Sequence, residues 1–398
     1  MNSGVTWAAS PLDDVSVLER LRAAPELFDR LGSIHGTEFA IQKQLRAEFD
    51  NDLVRAGLLL HDLRKRAPAK FARADRMWFD RTGLEQSTSE QVARHKAQRF
   101  AGQAEVVDLC SGLGADAVAL AVRSHVLAVD ARPAAGLMAQ WNAEVYEVAA
   151  NVKFQIGLAE SVDLGARPFH IDPDRRPGGQ RSVRIEDHRP GLEFLQQLAA
   201  HPAGGAIKLS PASNFGGKFP GCEIELVSLV RECKEAVVWC GPLRTDNDWR
   251  ATVLPAGATL TGDPWSAVSE QSALGGYLYD PDPAVVRAGL VDVLCEATGL
   301  KRLDREEEYL TSSDLIVTPF ADAFEVVAEL SNNDREIRNW FRQAGCGQVE
   351  IKCRRIPVVP EKVRTHLPLS GTDALSLIFA RIGGRAHAVV CRRIVATG

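Results

Sequence analysis

The residues best suited to chemistry in this sequence surround a short glycine turn. Residues 106–116 read VVDLCSGLGAD, an apolar run that leads through Gly112 and Gly114 into a helical segment. A turn of this kind lets a ligand approach the backbone closely, because glycine carries no side chain. Asp130 ends the next apolar run, about twenty positions after the turn, where a carboxylate can bind both hydroxyls of a ribose. The pattern predicts a ribose-containing cofactor, with Asp130 as its clearest contact.

Asp108 lies near the end of the first apolar run, and its position helps to distinguish between possible cofactors. A nicotinamide or flavin dinucleotide also fits a strand, a glycine turn and an acid, but its fingerprint has a third glycine that is missing here. A carboxylate at Asp108 can instead steady the amino-acid end of S-adenosylmethionine, which carries no pyrophosphate. The alternative is that Asp108 caps the turn. The sequence favours S-adenosylmethionine.

A second group of polar residues follows the apolar run Phe169–Ile171 and begins with Asp172 and Pro173. Asp172 can accept a hydrogen bond from a methyl acceptor or deprotonate it, whereas Arg175 and Arg176 can clamp a phosphate or carboxylate. The alternatives are a turn-forming Asp-Pro pair and ordinary ion pairs. Lys208 and Ser210, after a later apolar run, are predicted to face the same crevice.

The elements that must position these residues are short strands alternating with helices. An alternation of this kind predicts a parallel sheet and an α/β fold, and ligands bind at the carboxyl ends of such strands. We expect this domain to span residues 83–265. The predicted strands are Val106–Leu109, Val126–Val129, Val152–Ile156, Phe169–Ile171, Ala206–Leu209 and Ala236–Trp239.

The first 82 residues are predicted to be helical. Apolar residues from Phe39 to Leu63 recur at spacings that favour one helix face, ended by Pro68. The basic residues from Arg64 to Arg76 precede Trp78 and Phe79, a mixture that occurs in single-stranded nucleic acid grooves and, alternatively, at solvated helix ends beside core aromatics. Ser87 and Thr88 stand at capping-box spacing before Glu90 and Gln91, which predicts a helix through Val92 and Phe100.

Residues 266–398 are predicted to form a small α+β domain. Asp282 and Pro283 suit an N-cap and a first helical residue, and a helix is expected over Val285–Gly299. Four strands and one more helix follow. The strands are Ala323–Leu330, Gln348–Cys353, Ala374–Arg381 and His387–Ile394, and the helix is Asp334–Ala344.

The last part of this domain is basic although the whole chain is acidic. From Ser331 onward, twelve Lys or Arg residues stand against five Asp or Glu, in a chain whose net charge is −5. Pairing of two predicted strands would gather five cations into one patch able to bind a phosphate backbone. Solvated charge is the alternative. These cations are Lys352, Arg354, Arg355, Arg392 and Arg393.

Composition excludes several other classes of protein. Hydrophobic residues make up 45% of the chain and charged residues 25%, as in globular proteins, and no apolar run is long enough to span a bilayer. The eight cysteines are scattered, which favours reduced thiols and a cytoplasmic location, and neither they nor the nine histidines have metal-site spacing. We therefore expect no membrane segment and no metal.

Beyond the glycine turn, three further segments resemble the class I methyltransferases, and among them the trimethylguanosine synthase group and its bacterial relatives. These segments are Trp78-Phe79 with 87–93 (STSEQVA), 142–146 (NAEVY) and 152–155 (VKFQ). The similarity extends from Met77 to Ile171. After Arg175 it fades, and the terminal domain is similar to the THUMP-like domain attached to some bacterial methyltransferases.

The resemblance implies a Rossmann-like sheet that binds S-adenosylmethionine. It implies that Cys110, Ser111, Gly112 and Gly114 approach the cofactor together with Asp108. Its ribose is expected at Asp130 and Ala131, and its adenine at Ala159 and Glu160.

In this family the loop that begins at Asp172 and Pro173 orients the acceptor. Asp174 and Arg175 depart from the second proline and the aromatic residue of the family pattern, which makes Arg175 a candidate for a different acceptor contact. The leading hypothesis is a methyltransferase acting on RNA. A catalytically altered RNA-binding or assembly factor and a nucleotide-dependent oxidoreductase are the alternatives.

Overall fold

Four helices lead into the sheet in the computed structural model, which describes residues 10–175 and 182–395 of the chain. They are α1 (Val15–Arg22), α2 (Pro25–Ser33), α3 (Glu38–Leu45) and α4 (Asn51–Arg66). The predicted continuous stripe from Phe39 to Leu63 is wrong, because the helix ends at Leu45 and a new one begins after Asp50. Only the second half of the stripe, from Leu53 to Leu63, is the buried face of α4, and Phe39 is 77% exposed.

The aromatic residues after α4 pack into the core of this helical region, and Arg64 at the end of α4 packs against them. Trp78 and Phe79 are buried. The guanidinium of Arg64 lies over the rings of Phe28 and Trp78, and its Nε donates to the carbonyl oxygen of Met77 at 2.9 Å. The core interpretation of these aromatics is confirmed, and they do not form a nucleic acid groove.

Five parallel strands follow, with helices between them. The strands are β1 (Glu105–Leu109), β2 (His125–Asp130), β3 (Val152–Ile156), β4 (Phe169–Ile171) and β5 (Gly205–Leu209). The helices are α5 (Arg81–Gln86), α6 (Glu90–Gln98), α7 (Ala115–Ala121), α8 (Pro133–Val145) and α9 (Leu192–Ala199). The strand order β3-β2-β1-β4-β5 reverses between β1 and β4. The α/β fold is confirmed, and the reversal opens a crevice at the carboxyl end of β1.

The predicted capping box before α6 is wrong. Helix α6 begins after Ser89, whose side chain accepts no capping hydrogen bond. The hydroxyl of Ser87 donates to the carbonyl oxygen of Gly83, and that of Thr88 donates to Asp116 at 2.7 Å. The Ser87 hydroxyl thus closes the end of α5, and the Thr88 hydroxyl ties the segment before α6 to α7.

By packing, the chain divides into two units. The first contains the residues up to 222 together with 238–244, and the second contains 223–237 and 245–398. The next four strands are β6 (Glu223–Leu229), β7 (Glu232–Cys240), β8 (Trp249–Leu254) and β9 (Ala258–Gly262). The division passes through β7. The domain boundaries that the sequence suggested after residues 82 and 265 remain a prediction.

In the second unit, β6 pairs with β8 in parallel, and β9 pairs with β8 antiparallel. These three strands were not predicted from the sequence. Strand β6 is buried along its whole length although Glu223 and Glu225 interrupt its apolar residues. Arg250 donates to Glu223 at 2.5 Å, and the hydroxyl of Thr252 donates to Glu225 at 2.5 Å. Pairing of this kind offsets the cost of burying a carboxylate, so an apparently polar segment becomes a core strand.

The rest of the second unit is a seven-stranded sheet with helices. The strands are β10 (Tyr277–Pro281), β11 (Lys301–Arg302), β12 (Leu310–Ser312), β13 (Ala321–Ser331), β14 (Cys346–Cys353), β15 (Asp373–Ile382) and β16 (Arg385–Arg393). The helices are α10 (Pro283–Arg287), α11 (Val291–Thr298), α12 (Asp334–Gln343) and α13 (Pro360–His366). The strand order is β11-β12-β10-β13-β16-β15-β14, so the predicted α+β character is confirmed.

Asp282 caps α10 as predicted, through a hydrogen bond from the backbone N–H of Ala284 at 2.8 Å. The single helix predicted over Val285–Gly299 is two helices, because the chain turns at Gly289 with a φ of 73°. Among the described residues, no helix is both long enough and apolar enough to cross a membrane.

We expect Gly57→Ala in α4 to destabilise the protein. Alanine favours helix by about 1 kcal/mol, but the added Cβ would lie 2.3 Å from Cδ2 of the fully buried Leu27, and overpacking typically costs about 1–3 kcal/mol. Gly32→Ala in α2 is the matched control, because its Cβ meets no atom within 4 Å and only the helical preference remains. Urea unfolding monitored by circular dichroism measures both effects. Equal stabilisation by both substitutions would contradict the packing argument.

Candidate active site

The glycine turn follows β1 at the crevice, and three of its residues have left-handed backbone angles. Cys110, Gly112 and Gly114 have φ values of 56°, 54° and 78°. A Cβ on Gly112 would meet nothing within 4 Å, whereas one on Gly114 would lie 3.0 Å from Cβ of Ala139 in α8. Gly112 therefore leaves open space at the turn, and Gly114 allows close packing of α7 and α8.

Asp130, at the end of β2, is hydrogen-bonded to this turn. Its Oδ2 accepts from the backbone N–H of Gly112 at 2.8 Å, and its Oδ1 accepts from that of Arg132 at 2.9 Å. Each carboxylate oxygen has a further lone pair available for a ligand hydroxyl. The adjacent Ala131 is exposed. The structure thus brings Asp130 and the glycine turn together as the sequence predicted.

Ala159 and Glu160 lie in a single helical turn after β3. Ala159 is buried and Glu160 is exposed. Ile156, the last residue of β3, and Leu158, just before the helical turn, are 53% and 63% exposed, which is unusual for large apolar residues. Sequence reasoning overlooked both side chains, because an apolar residue at a strand end is normally read as core.

Asp108 is completely buried on β1 and pairs with His170 of β4. The two residues stand opposite each other in the parallel register, and His170 Nδ1 lies 2.7 Å from Asp108 Oδ1. Asp108 Oδ2 is buried and has no hydrogen-bond partner in the described part of the chain. Burial raises the pKa of Asp108, and the hydrogen bond with His170 acts in the opposite direction. The free oxygen makes Asp108 a binding group as well as a structural one.

Three further residues that sequence reasoning missed surround this pair. Lys96 of α6 lies 3.3 Å from His170 Nε2 and 2.9 Å from Asp116 Oδ1, and Thr88 donates to the other oxygen of Asp116. His170 points toward the covering helix α6, where it contacts Lys96. A signal for Lys96 existed, because it occupies a core-facing position of α6 together with Val92 and Ala93.

The acceptor loop begins where β4 ends. Asp172 Oδ2 lies 2.6 Å from Lys208 Nζ, and Lys208 also donates to the carbonyl oxygen of Gln86 at 3.2 Å. Pro173 is buried and Arg175 is half-buried. Arg176 lies outside the described residues. The structure therefore joins Asp172 and Lys208, which the sequence suggested only as separate residues of one crevice.

The pKa of the Cys110 thiol reflects its burial and the negative charge around the crevice. Its largely buried thiol has a pKa well above the usual value, first because of burial and then because of the carboxylates of Asp130 and Asp172, with smaller effects from Asp108 and Glu160. Such a thiol stays protonated and is a poor nucleophile. Four carboxylates thus converge near one residue, an arrangement that suits a cationic ligand.

Known proteins with similar sequences identify the family. A protein of Mycobacterium tuberculosis (strain CDC 1551), described as an uncharacterized S-adenosylmethionine-dependent methyltransferase, is 31% identical over 349 residues, which cover 83% of this chain and 94% of the relative. The chain belongs to the S-adenosylmethionine-dependent methyltransferases. A protein of the H37Rv strain with the same description matches equally well. The predicted cofactor is confirmed.

The methyltransferase fold is also found in a solved structure. A protein from Porphyromonas gingivalis W83, described as a candidate methyltransferase, superposes with a TM-score of 0.74 at 18% identity, and the match covers 96% of this chain and 99% of that one. A family model described as THUMP domain-like matches residues 321–393. The predicted terminal domain is thereby confirmed as THUMP-like.

The residues of the crevice fit S-adenosylmethionine. Two buried oxygens, Asp108 Oδ2 and Ser111 Oγ, have no hydrogen-bond partner within residues 10–175 and 182–395. Both can accept from an ammonium, and the serine can also donate to a carboxylate. Space is open at Gly112. In the same two ranges, no group of three His, Cys, Asp or Glu side chains is arranged to hold a metal ion.

The predicted basic patch of the methyltransferase's terminal domain is wrong. Strand β15 lies between β14 and β16, so the strands that carry the five cations do not pair with each other. Carboxylates neutralise most of these cations. Lys352 and Arg354 pair with Asp280, Arg355 pairs with Glu308, and Arg393 pairs with Asp322 and Glu350.

Proposed function

We propose that this methyltransferase modifies RNA. Methyl transfer follows from the family, and the RNA substrate is supported by a row of arginines in the THUMP-like domain that forms no ion pair within residues 10–175 and 182–395. S-adenosylmethionine supplies a methyl group that is already activated on a sulfonium. What the protein must add is orientation of the acceptor and exclusion of water.

We assign the cofactor contacts to the residues around the glycine turn. The free oxygen of Asp108 and the hydroxyl of Ser111 suit the amino-acid end of the cofactor, and the backbone from Cys110 to Gly114 suits its close approach. Asp130 and Ala131 are assigned to the ribose. Ala159 and Glu160 are assigned to the adenine, where the exposed side chains of Ile156 and Leu158 offer an apolar surface.

The acceptor is assigned to the loop Asp172, Pro173 and Arg175. The ion pair with Lys208 holds the Asp172 carboxylate as a hydrogen-bond acceptor for an amine, and the buried Pro173 fixes the direction of the chain there. Arg175 replaces the aromatic residue of the family pattern. Its guanidinium can stack on a base or bind a phosphate, and both properties suit RNA.

The arginines that support RNA binding lie on α12. Arg335, Arg338 and Arg342 are exposed and follow one another at intervals of three and four, which places them on one side of the helix. None of them pairs with a carboxylate among the described residues. Arg338 donates to the carbonyl oxygen of Asp334, and Arg342 donates to the side chain of Asn339. On the opposite side, Ile337 and Phe341 are buried against the sheet.

A second candidate function is an RNA-binding or assembly factor that retains the cofactor. The loop sequence favours it, because Asp174 and Arg175 stand where the family pattern has a second proline and an aromatic residue, so no aromatic ring at that position stacks on an acceptor base. Transfer of labelled methyl groups to total RNA, total protein and a small-molecule extract from a strain lacking the protein separates the two. Labelled RNA supports the enzyme. Label in either other fraction contradicts RNA as the substrate, and label in none favours the binding factor.

We expect Asp130→Ala to weaken S-adenosylmethionine binding by about 1–3 kcal/mol, because hydrogen bonds to a charged group are lost. Asp163→Ala is the control, since the carboxylate of Asp163 accepts a hydrogen bond within its own turn, from the backbone N–H of Gly165. Calorimetric titration measures both affinities. An unchanged dissociation constant for Asp130→Ala would place the ribose elsewhere.

We expect Asp172→Ala to leave cofactor affinity within about threefold but to remove most turnover, because the residue is assigned to the acceptor and not to the donor. Single-turnover methylation of RNA and titration with the cofactor give the two quantities. Full activity of the variant would reduce Asp172 to a turn residue. A parallel loss of cofactor affinity would move it to the donor site.

RNA binding by the α12 arginines predicts a specific dependence on salt. Binding through phosphates releases counterions, so Arg338→Ala with Arg342→Ala should lower the slope of log affinity against log salt by roughly 1.4 for a single strand. Arg354→Ala with Arg355→Ala is the matched control, because those arginines are ion-paired within the domain and should change the slope less. Fluorescence anisotropy at several salt concentrations measures both slopes. Equal slopes for the parent and the α12 variant would exclude this surface.

A further inference from the structure

Beneath the glycine turn, four buried side chains form a continuous polar chain. Lys96 pairs with Asp116 at 2.9 Å and lies 3.3 Å from His170 Nε2, and His170 Nδ1 lies 2.7 Å from Asp108 Oδ1. Lys96, His170 and Asp108 are at most 1% exposed, and Asp116 is 8% exposed. This polar chain of side chains connects helices α6 and α7 to the strand end that carries Asp108.

The donors and acceptors fix where the protons are. A lysine ammonium has only donors, so the lone pair at His170 Nε2 must accept from Lys96. His170 Nδ1 then carries the proton and donates to Asp108 Oδ1. Asp116 Oδ1 lies 3.9 Å from His170 Nε2, beyond the reach of a hydrogen bond. The arrangement therefore selects one neutral tautomer of His170.

This assignment leaves one buried negative charge without a partner. Lys96 and Asp116 balance each other, and Thr88 satisfies the second oxygen of Asp116. In its carboxylate form, Asp108 has Oδ1 held by His170 and Oδ2 free. A buried charge of this kind is costly unless a counter-charge arrives. A ligand cation at Oδ2 supplies that charge.

We infer that Lys96 and His170 are positioning residues that hold Asp108 with one oxygen directed to the ammonium of the cofactor's amino-acid end. Lys96 sets the tautomer of His170, and His170 orients the carboxylate, much as outer-shell partners orient the ligands of a metal. The inference rests on the assignment of Asp108 to the cofactor in the proposed function. It concerns binding only, and it is independent of the RNA substrate.

The experiment compares two ligands that differ in the amino-acid end. S-adenosylhomocysteine carries the ammonium, and 5′-methylthioadenosine has the same adenine, ribose and thioether without it. Lys96→Met and His170→Leu should weaken S-adenosylhomocysteine binding by about 10-fold or more, as loss of an outer-shell partner does. Binding of 5′-methylthioadenosine should change much less. Calorimetric titration of the full-length protein gives both affinities.

Two variants separate a positioning role from a merely structural one. His170→Asn retains an N–H near the position of Nδ1, so it should restore most of the affinity that His170→Leu loses. Arg250→Met breaks a buried ion pair with Glu223 in the second unit and should leave both ligands bound normally. Circular dichroism and thermal unfolding establish that each variant is folded. Any variant that is unfolded is replaced by Lys96→Gln or by His170→Gln, with the same two titrations.

The pH dependence gives a second readout. The titratable groups that face Asp108 are His170 on β4, Asp116 on α7 and Lys96 on α6. Loss of the His170 hydrogen bond removes an effect that lowers the pKa of Asp108. In His170→Leu, S-adenosylhomocysteine affinity should therefore fall at a higher pH than in the parent as the solution is acidified. An identical pH profile in the two proteins would contradict the inference.

Asp108→Asn distinguishes failure of the assignment from failure of the inference. If Asp108→Asn leaves S-adenosylhomocysteine affinity unchanged, Asp108 is not a cofactor contact, and both the assignment and the inference fail. If Asp108→Asn weakens binding while folded variants of Lys96 and His170 do not, the assignment stands and the positioning role is excluded. Equal loss of both ligands in the Lys96 and His170 variants would also exclude it.

Discussion

The hydrogen bond between Asp108 and His170 is the interaction on which the rest of the site depends. It joins β1 to β4 where the strand order reverses, and the parallel register places the two residues side by side. Both side chains are buried, so their polar atoms must find hydrogen-bond partners in the protein or in a ligand and not in bulk water. Lys96 and Asp116 extend it into the covering helices. The glycine turn begins two residues after Asp108. The position of Asp108 therefore helps to fix the turn, the crevice and the polar chain together.

The electrostatics of the crevice agree with the chemistry of the family. Burial, and after it the carboxylates at the ends of the strands, raises the pKa of Cys110, and a protonated thiol is a poor nucleophile for covalent catalysis. The same carboxylates favour a cationic ligand over a pyrophosphate, which would be repelled. The missing third glycine and the acidic crevice both suit a cofactor that has no pyrophosphate. In the proposed site, acids and open backbone bind the cofactor.

The sequence predicted the strands whose structure depends on the local pattern of apolar residues. Val152–Ile156 and Phe169–Ile171 are strands with the predicted bounds, because short apolar runs between turns have few other structures. It could not predict β6, where Glu223 and Glu225 are buried only because Arg250 and Thr252 lie on the neighbouring strand. The position of Lys96 on the core-facing side of α6 could be read from the sequence, but its partners Asp116 and His170 could not. The burial of a charged residue is decided by partners that are distant in the sequence.

The number of charged residues did not predict where cations are available to a ligand, and the terminal domain shows why. Its excess of arginines suggested a patch on the strands, yet long side chains on a sheet reach acids on neighbouring strands, as Arg393 reaches Asp322 and Glu350. In the described part of the chain, the arginines on the solvent-facing side of α12 bond instead to a backbone carbonyl and to an asparagine side chain. Arg335, Arg338 and Arg342 therefore keep their charge available, because Ile337 and Phe341 hold the other side of α12 against the sheet. For binding a polyanion, the position of a cation relative to its own domain's acids matters more than the number of cations.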